Sequence, residues 1–230
     1  LDALVQLVKL DQDWLPQGED AALYIRPFLF ASDEYIGVKP SDNYKFIIFT
    51  CPVRGYYNEP VRVKIETTYS RAFPGGTGEA KCGGNYAASL LPQMEAQALG
   101  CSQVLFLHPV EGKYLEELGG MNVFLVHRDG RLVTPELSGS ILDGITRASI
   151  LQLARDRGLR VEERKVSLDE WRDGVASGDI TEAFACGTAA VITPIGELKG
   201  EGFSIGDANA PAGEVTMAIR RELTDIQYGR

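Results

Sequence analysis

Residues 75–90 read GGTGEAKCGGNYAASL, with glycines at 75, 76, 78, 83 and 84 around Lys81, Cys82 and Tyr86. Such a loop admits three readings: a phosphate clamp, a nucleophilic lysine, or an ordinary surface charge. A P-loop needs glycine directly before the lysine and a hydroxyl after it, and here Ala80 and Cys82 stand in those places. A dinucleotide loop needs G-x-G-x-x-G. Gly76 and Gly78 supply two of its glycines, but Lys81 occupies the third position. A nucleophilic lysine must be neutral, which requires desolvation or a neighbouring cation. Glycines would let a flat ligand approach the backbone closely. Taken alone, the stretch fits a solvated lysine best, because most lysines are exposed.

The rest of the chain must decide. Its 230 residues are long enough for a sizeable core, 44% hydrophobic and 24% charged, an ordinary balance for a globular protein. The net charge of −9 opposes nucleic-acid and anionic-membrane partners. No apolar run approaches the ~20 residues of a membrane span, and no signal peptide is visible. Cys51, Cys82, Cys101 and Cys186 are scattered without a CxxC pair, which points to reduced thiols and a cytoplasmic location. With His108 and His127 they make no metal-ligand spacing, so no metal is expected. The chain opens at Leu1 in what reads as mid-helix, suggesting part of something longer.

Around the glycine loop, residues 22–32, 44–53 and 61–70 are rich in β-branched and aromatic types and read as strands. Apolar spacing predicts a helix over 85–99 with Gly100 behind it. Two further strands flank Asp129–Gly130, a hairpin signal. A helix begins with Thr146 as N-cap and closes at Gly158. A strand over 160–166, a helix over 168–177, a strand over 182–193 and a helix near 214–225 follow. Strands and helices mix without βαβ alternation, so the fold class is α+β.

The stretch from Gly75 to Gln93 resembles the active-site region of the branched-chain amino acid aminotransferases, pyridoxal phosphate enzymes of fold type IV. YIRPFLF (24–30), EELGGMNVF (116–124), LDGITR (142–147), CGTAAVITP (186–194) and ELTDIQYG (222–229) match the same family in order. The resemblance implies two domains: a partial small domain at 1–68, a linker at 69–78 and a large cofactor-binding domain at 79–230. It implies transamination between leucine, isoleucine or valine and 2-oxoglutarate, most simply in a homodimer.

By the same resemblance, Lys81 is the Schiff-base lysine and proton carrier, and Tyr86 meets the cofactor's phenolic oxygen. Glu117 pairs with the pyridine nitrogen, while Glu116, pointing to the other face of a strand, is expected in solvent. Ile145, Thr146 and Thr188 hold the phosphate. Tyr24, Arg26, Tyr69, Thr188 and Ala189 bind substrate, with Arg26 suited to carboxylates by its planar fork. Ile36 and Val38 reach into the partner subunit's pocket. Several features depart from the family pattern. Gly120 stands where threonine or alanine is common. Ala190 and Thr193 replace the redox CxxC of some relatives. The N-terminal part that supplies a phosphate-binding arginine is not in this chain. Two rivals remain: another fold type IV reaction (D-amino acid transamination or aminodeoxychorismate lysis), and a non-catalytic fragment that binds cofactor or only assembles.

Overall fold

A computed structural model describes residues 1–18, 21–54 and 59–230. The chain divides into two compact units, Leu1–Tyr56 and Tyr57–Arg230. The first holds helix α1 (Asp2–Leu10) and strands β1 (Ala21–Ala31) and β2 (Tyr44–Arg54). These strands pair antiparallel from Ala21↔Arg54 to Ala31↔Tyr44. Pro27 and Pro52 fit because each strand of a two-stranded sheet keeps an edge that needs no donor. Between the strands, Asp33 clasps the connecting loop by accepting from the Asp42 and Asn43 backbone N–H groups at 2.7 and 3.1 Å.

The second unit is built on a mixed sheet of β3 (Val61–Glu66), β4 (Gln103–Leu107), β5 (Leu115–Leu118), β6 (Asn122–His127), β7 (Arg131–Thr134), β8 (Arg160–Glu163), β9 (Ile180–Gly187), β10 (Val191–Gly200) and β11 (Phe203–Gly206). Their order is β5-β4-β3-β10-β9-β6-β7-β8, with β11 on β10. Helices α2 (Gly83–Ala87), α3 (Leu90–Ala98), α4 (Ile145–Asp156), α5 (Leu168–Ser177) and α6 (Glu214–Gln227) complete it. Strand β6 shows why the core has two halves. Val123 and Leu125 enter one buried cluster with Val63, Leu105 and Trp171, while Phe124 and Val126 enter another with Ile150, Phe184 and Ile219. Alternate side chains point to opposite faces, so a strand covered on both sides must be apolar throughout.

The α+β class holds, and several boundaries move. Residues 61–66, expected in the first domain, lie parallel between β10 and β4 in the larger unit's sheet. The single helix expected over 85–99 is two, parted at Ala88 and Ser89. Pro92 explains the break, because its ring collides with the carbonyl four residues back. The strand expected over 182–193 is a hairpin, β9 and β10, turning at residues 188–190. Its small residues, Thr188, Ala189 and Ala190, carried no turn signature. Thr146 is not the N-cap of α4; Gly144 is, with its carbonyl accepting from the Ala148 N–H at 3.0 Å. Gly100, Gly130 and Gly158 take the positive φ values their places require,. No helix among the described residues is long and apolar enough to cross a membrane.

One cap comes from far away in sequence. Glu182 on β9 accepts from the Val215 and Thr216 N–H groups at 3.0 and 2.8 Å and from the Thr216 hydroxyl at 2.7 Å. A Cβ at Gly213 would overlap that carboxylate. The orphan donors of the first turn of α6 are thus satisfied by a central strand. Glu182→Ala is expected to destabilise the protein by ~1–3 kcal/mol, read as a lower urea midpoint, with Glu182→Gln falling between.

Candidate active site

The glycine loop is held from inside. Asn85, 4% exposed in the first turn of α2, donates to the Thr77 and Ala80 carbonyls at 2.6 and 2.8 Å. It also accepts from the Thr77 hydroxyl at 2.8 Å. Arg71, buried, donates to the carbonyls of Gly78 (2.9 Å) and Ser140. Loop and 138–142 segment therefore touch backbone to backbone, and a Cβ at Gly78 would overlap the Ser140 carbonyl oxygen. The loop presents Lys81 at its end, exposed, with Nζ 3.3 Å from the Tyr86 hydroxyl.

Glu117 lies beneath, 2% exposed on β5. It pairs with Arg71 and accepts from the Leu142 N–H at 2.9 Å. Burial raises its carboxyl to about 7 against the lowering pull of Arg71, the Leu142 N–H and the more distant Lys81 charge. Glu116 is not in solvent as expected. It is buried, accepting from Ser138 Oγ at 3.0 Å and from Ser140 Oγ, because the 138–140 segment covers that face of β5.

The other site candidates of this unit lie on the β5–β6 and β9–β10 connections, at the start of α4 and just after β3. A Cβ at Gly120 would meet the Tyr86 ring at 3.5 Å, an ordinary contact, so glycine is not demanded there. A Cβ at Gly187 would lie 3.4 Å from the Gly120 oxygen, which sets the turn of Thr188 and Ala189 beside the β5–β6 connection. Both turn residues are exposed. The next residue but one, Val191, has φ +55°, a conformation costing a β-branched residue ~1–3 kcal/mol. Ile145 and Thr146 open α4, whose N-terminus no side chain caps. Tyr69, half-exposed, is tied by its N–H to Glu66 at 3.0 Å. In the first unit, Arg26 stacks on the Tyr24 ring at 4.9 Å, and Ile36 and Val38 stand fully exposed on the 32–43 loop.

A family model for amino-transferase class IV matches residues 3–198. The chain belongs to that family. Among class IV amino-transferases, it is 52% identical to the branched-chain-amino-acid aminotransferase of Mycobacterium tuberculosis (strain H37Rv) over 236 residues, all of this chain and 64% of that protein. The chain thus spans a little under two thirds of such relatives. It also superposes on the branched-chain amino acid aminotransferase of Thermobaculum terrenum in its PLP form, with TM-score 0.76 and 28% identity, covering 100% of this chain and 70% of that one. The branched-chain aminotransferase of Thermoproteus uzoniensis, solved with norvaline, gives TM-score 0.72 and 30% identity over 90% of this chain and 65% of that one.

Sequence reasoning passed over Arg71, Asn85 and Asn122. Asn122 stood inside a quoted motif without a role. Asn85 could have been suspected as a polar residue one turn into a helix that opens on two glycines. Arg71 carried no signal, since its partners lie in three separate segments.

Two measurements test this geometry. Gly78→Ala is expected to cost ~1–3 kcal/mol through the clash with Ser140. Gly84→Ala, open to solvent with nothing within 4 Å, should be neutral or slightly stabilising. The second concerns pH. A carboxyl at about 7 when folded and 4.5 when unfolded binds its proton more tightly in the folded chain. Its contribution is therefore fully present below pH 4.5 and is lost as pH rises through 7, ~3 kcal/mol in all. Glu117→Gln should flatten that fall in a series of urea melts from pH 4 to pH 8.

Proposed function

We propose that this chain carries the catalytic part of a pyridoxal-phosphate-dependent aminotransferase that exchanges the amino group of leucine, isoleucine or valine with 2-oxoglutarate. One observation carries the reading: Lys81 Nζ stands 3.3 Å from the Tyr86 hydroxyl, on a loop that Arg71 ties to the buried Glu117 carboxylate. The names and ligands of the relatives above support the substrate class.

The residues present fit pyridoxal 5'-phosphate. A primary amine, a phenol, a buried carboxylate and an uncapped helix start suit its aldehyde, phenolic oxygen, ring nitrogen and phosphate in turn. When bound, that group supplies an aldehyde to carry nitrogen and a ring to accept the electrons of the broken Cα–H bond. Lys81 would hold it, then take the proton from the substrate Cα as a free amine. Tyr86 keeps a hydrogen-bond donor at the phenolic oxygen. Glu117 keeps the ring nitrogen protonated, and Arg71 orients Glu117. Ile145, Thr146 and Thr188 offer donors to the phosphate; Thr188 and Ala189 offer amides to the substrate carboxylate. Tyr24, Arg26 and Tyr69 are assigned to substrate recognition, with Arg26's planar fork suited to the second carboxylate of 2-oxoglutarate.

We assign residues 1–56 to the small domain, with the linker and Lys81 in the larger unit. The bare apolar tips of Ile36 and Val38 suit insertion into a second copy, hence a homodimer. Free thiols at Cys51, Cys82, Cys101 and Cys186 suit the cytoplasm.

Borohydride reduction of the intact protein with pyridoxal phosphate should fix one cofactor mass on the Lys81 peptide. Leucine with 2-oxoglutarate should yield glutamate, and D-alanine should not. Lys81→Ala should abolish the label and lower turnover by ~10²–10⁴-fold or more. Label on another lysine, or no glutamate, overturns the assignment.

A further inference from the structure

Two parts of the proposed cofactor site share one short piece of backbone. Leu142 gives its N–H to Glu117 at 2.9 Å, and its carbonyl accepts from Asn122 Nδ2 at 3.0 Å. Asn122 is buried at the start of β6. Its side-chain oxygen also stands against Gly144, where a Cβ would approach it to 2.5 Å. One side chain therefore bonds the segment at 142 and lies close against it at 144, on either side of Asp143. Gly144 is the N-cap of α4, and the next two residues are Ile145 and Thr146. A second buried group anchors the first turn of α4 to neighbouring segments. Arg147 is 2% exposed, bonded through Nη2 to the Pro135 carbonyl and Glu163 at 3.0 Å each, and its Nε has no partner.

We propose that Asn122 is a positioning residue: acting through Leu142 and Gly144, it fixes the Ile145 and Thr146 amides relative to the Glu117 carboxylate. The inference rests on the reading that these groups hold pyridoxal phosphate. Ring nitrogen and phosphate belong to one small molecule joined by a short methylene–oxygen link, so their partners must lie within a limited range of separation. A segment bonded at 142 and packed at 144 is preorganised for this; a free one loses affinity in becoming ordered. Asn122 touches neither ring nor phosphate in this scheme. Its effect must appear as a loss of the advantage that the phosphate confers.

The test compares pyridoxal phosphate with pyridoxal, which lacks the phosphate, in the intact protein. Each is titrated to wild type, Asn122→Ala, Asn122→Asp and Gly144→Ala, and the aldehyde bound at Lys81 is read by absorbance. In Asn122→Ala the affinity ratio between the two ligands should narrow by ~10-fold or more, with pyridoxal itself little changed. Gly144→Ala should narrow it likewise, by pushing the amide aside, and should add nothing in the Asn122→Ala background. Should Asn122→Ala prove insoluble, Asn122→Asp and Gly144→Ala carry the same comparison. A merely structural role lowers the melting temperature and both affinities together, leaving the ratio intact; that result overturns the inference. If wild type fixes no cofactor on Lys81, the functional reading falls and this inference with it. If wild type does so and the ratio stays put in the variants, this inference alone falls.

Discussion

Placing Glu117 in the interior of a sheet is the constraint from which the site's architecture follows. An isolated buried carboxylate is costly, and it persists here because Arg71 and the Leu142 N–H meet it. Arg71 in turn must be satisfied, and the carbonyls of Gly78 and Ser140 do so. That draws the glycine loop down onto the 138–142 segment. One acid thus dictates where Lys81's loop and the entry to α4 meet. Removing Glu117 would leave the Arg71 charge unpaired inside the protein, a loss far above that of a surface ion pair,.

The glycines divide by purpose in a way their clustering conceals. Gly78 and Gly144 exist for closeness: a Cβ at either would strike a neighbouring oxygen. Gly75 supplies a positive φ. Gly83 and Gly84 face open space. Within the loop, the tightest glycine, Gly78, serves packing between two protein segments.

How much was legible follows from whether a signal was local. Strands β1, β2 and β3 announced themselves by β-branched and aromatic runs, and the helix read over 168–177 is α5, which the structure shows capped by Ser167 accepting from the Glu170 N–H at 3.0 Å. The β9–β10 reversal did not announce itself, because its turn, Thr188 to Ala190, is made of small residues without a turn signature and closes through a strained Val191. Lys81, Tyr86 and Glu117 could be marked from motifs, since each belongs to a contiguous stretch. Arg71 and the burial of Glu116 could not, since both depend on segments tens of residues apart arriving together. The sheet to which 61–66 belong was hidden for the same reason: strand β10, one of their partners, lies far along the chain.

The remote cap on α6 ties stability at one edge of the molecule to its centre. Glu182 sits on β9, the strand whose far end carries the Thr188 turn. The amides of Val215 and Thr216 can exchange with solvent only when that carboxylate releases them, so their protection reports on the central strand as much as on the helix. Helix and strand then open as one cooperative unit, and hydrogen exchange at the start of α6 becomes a gauge of how firmly the turn at the site is anchored.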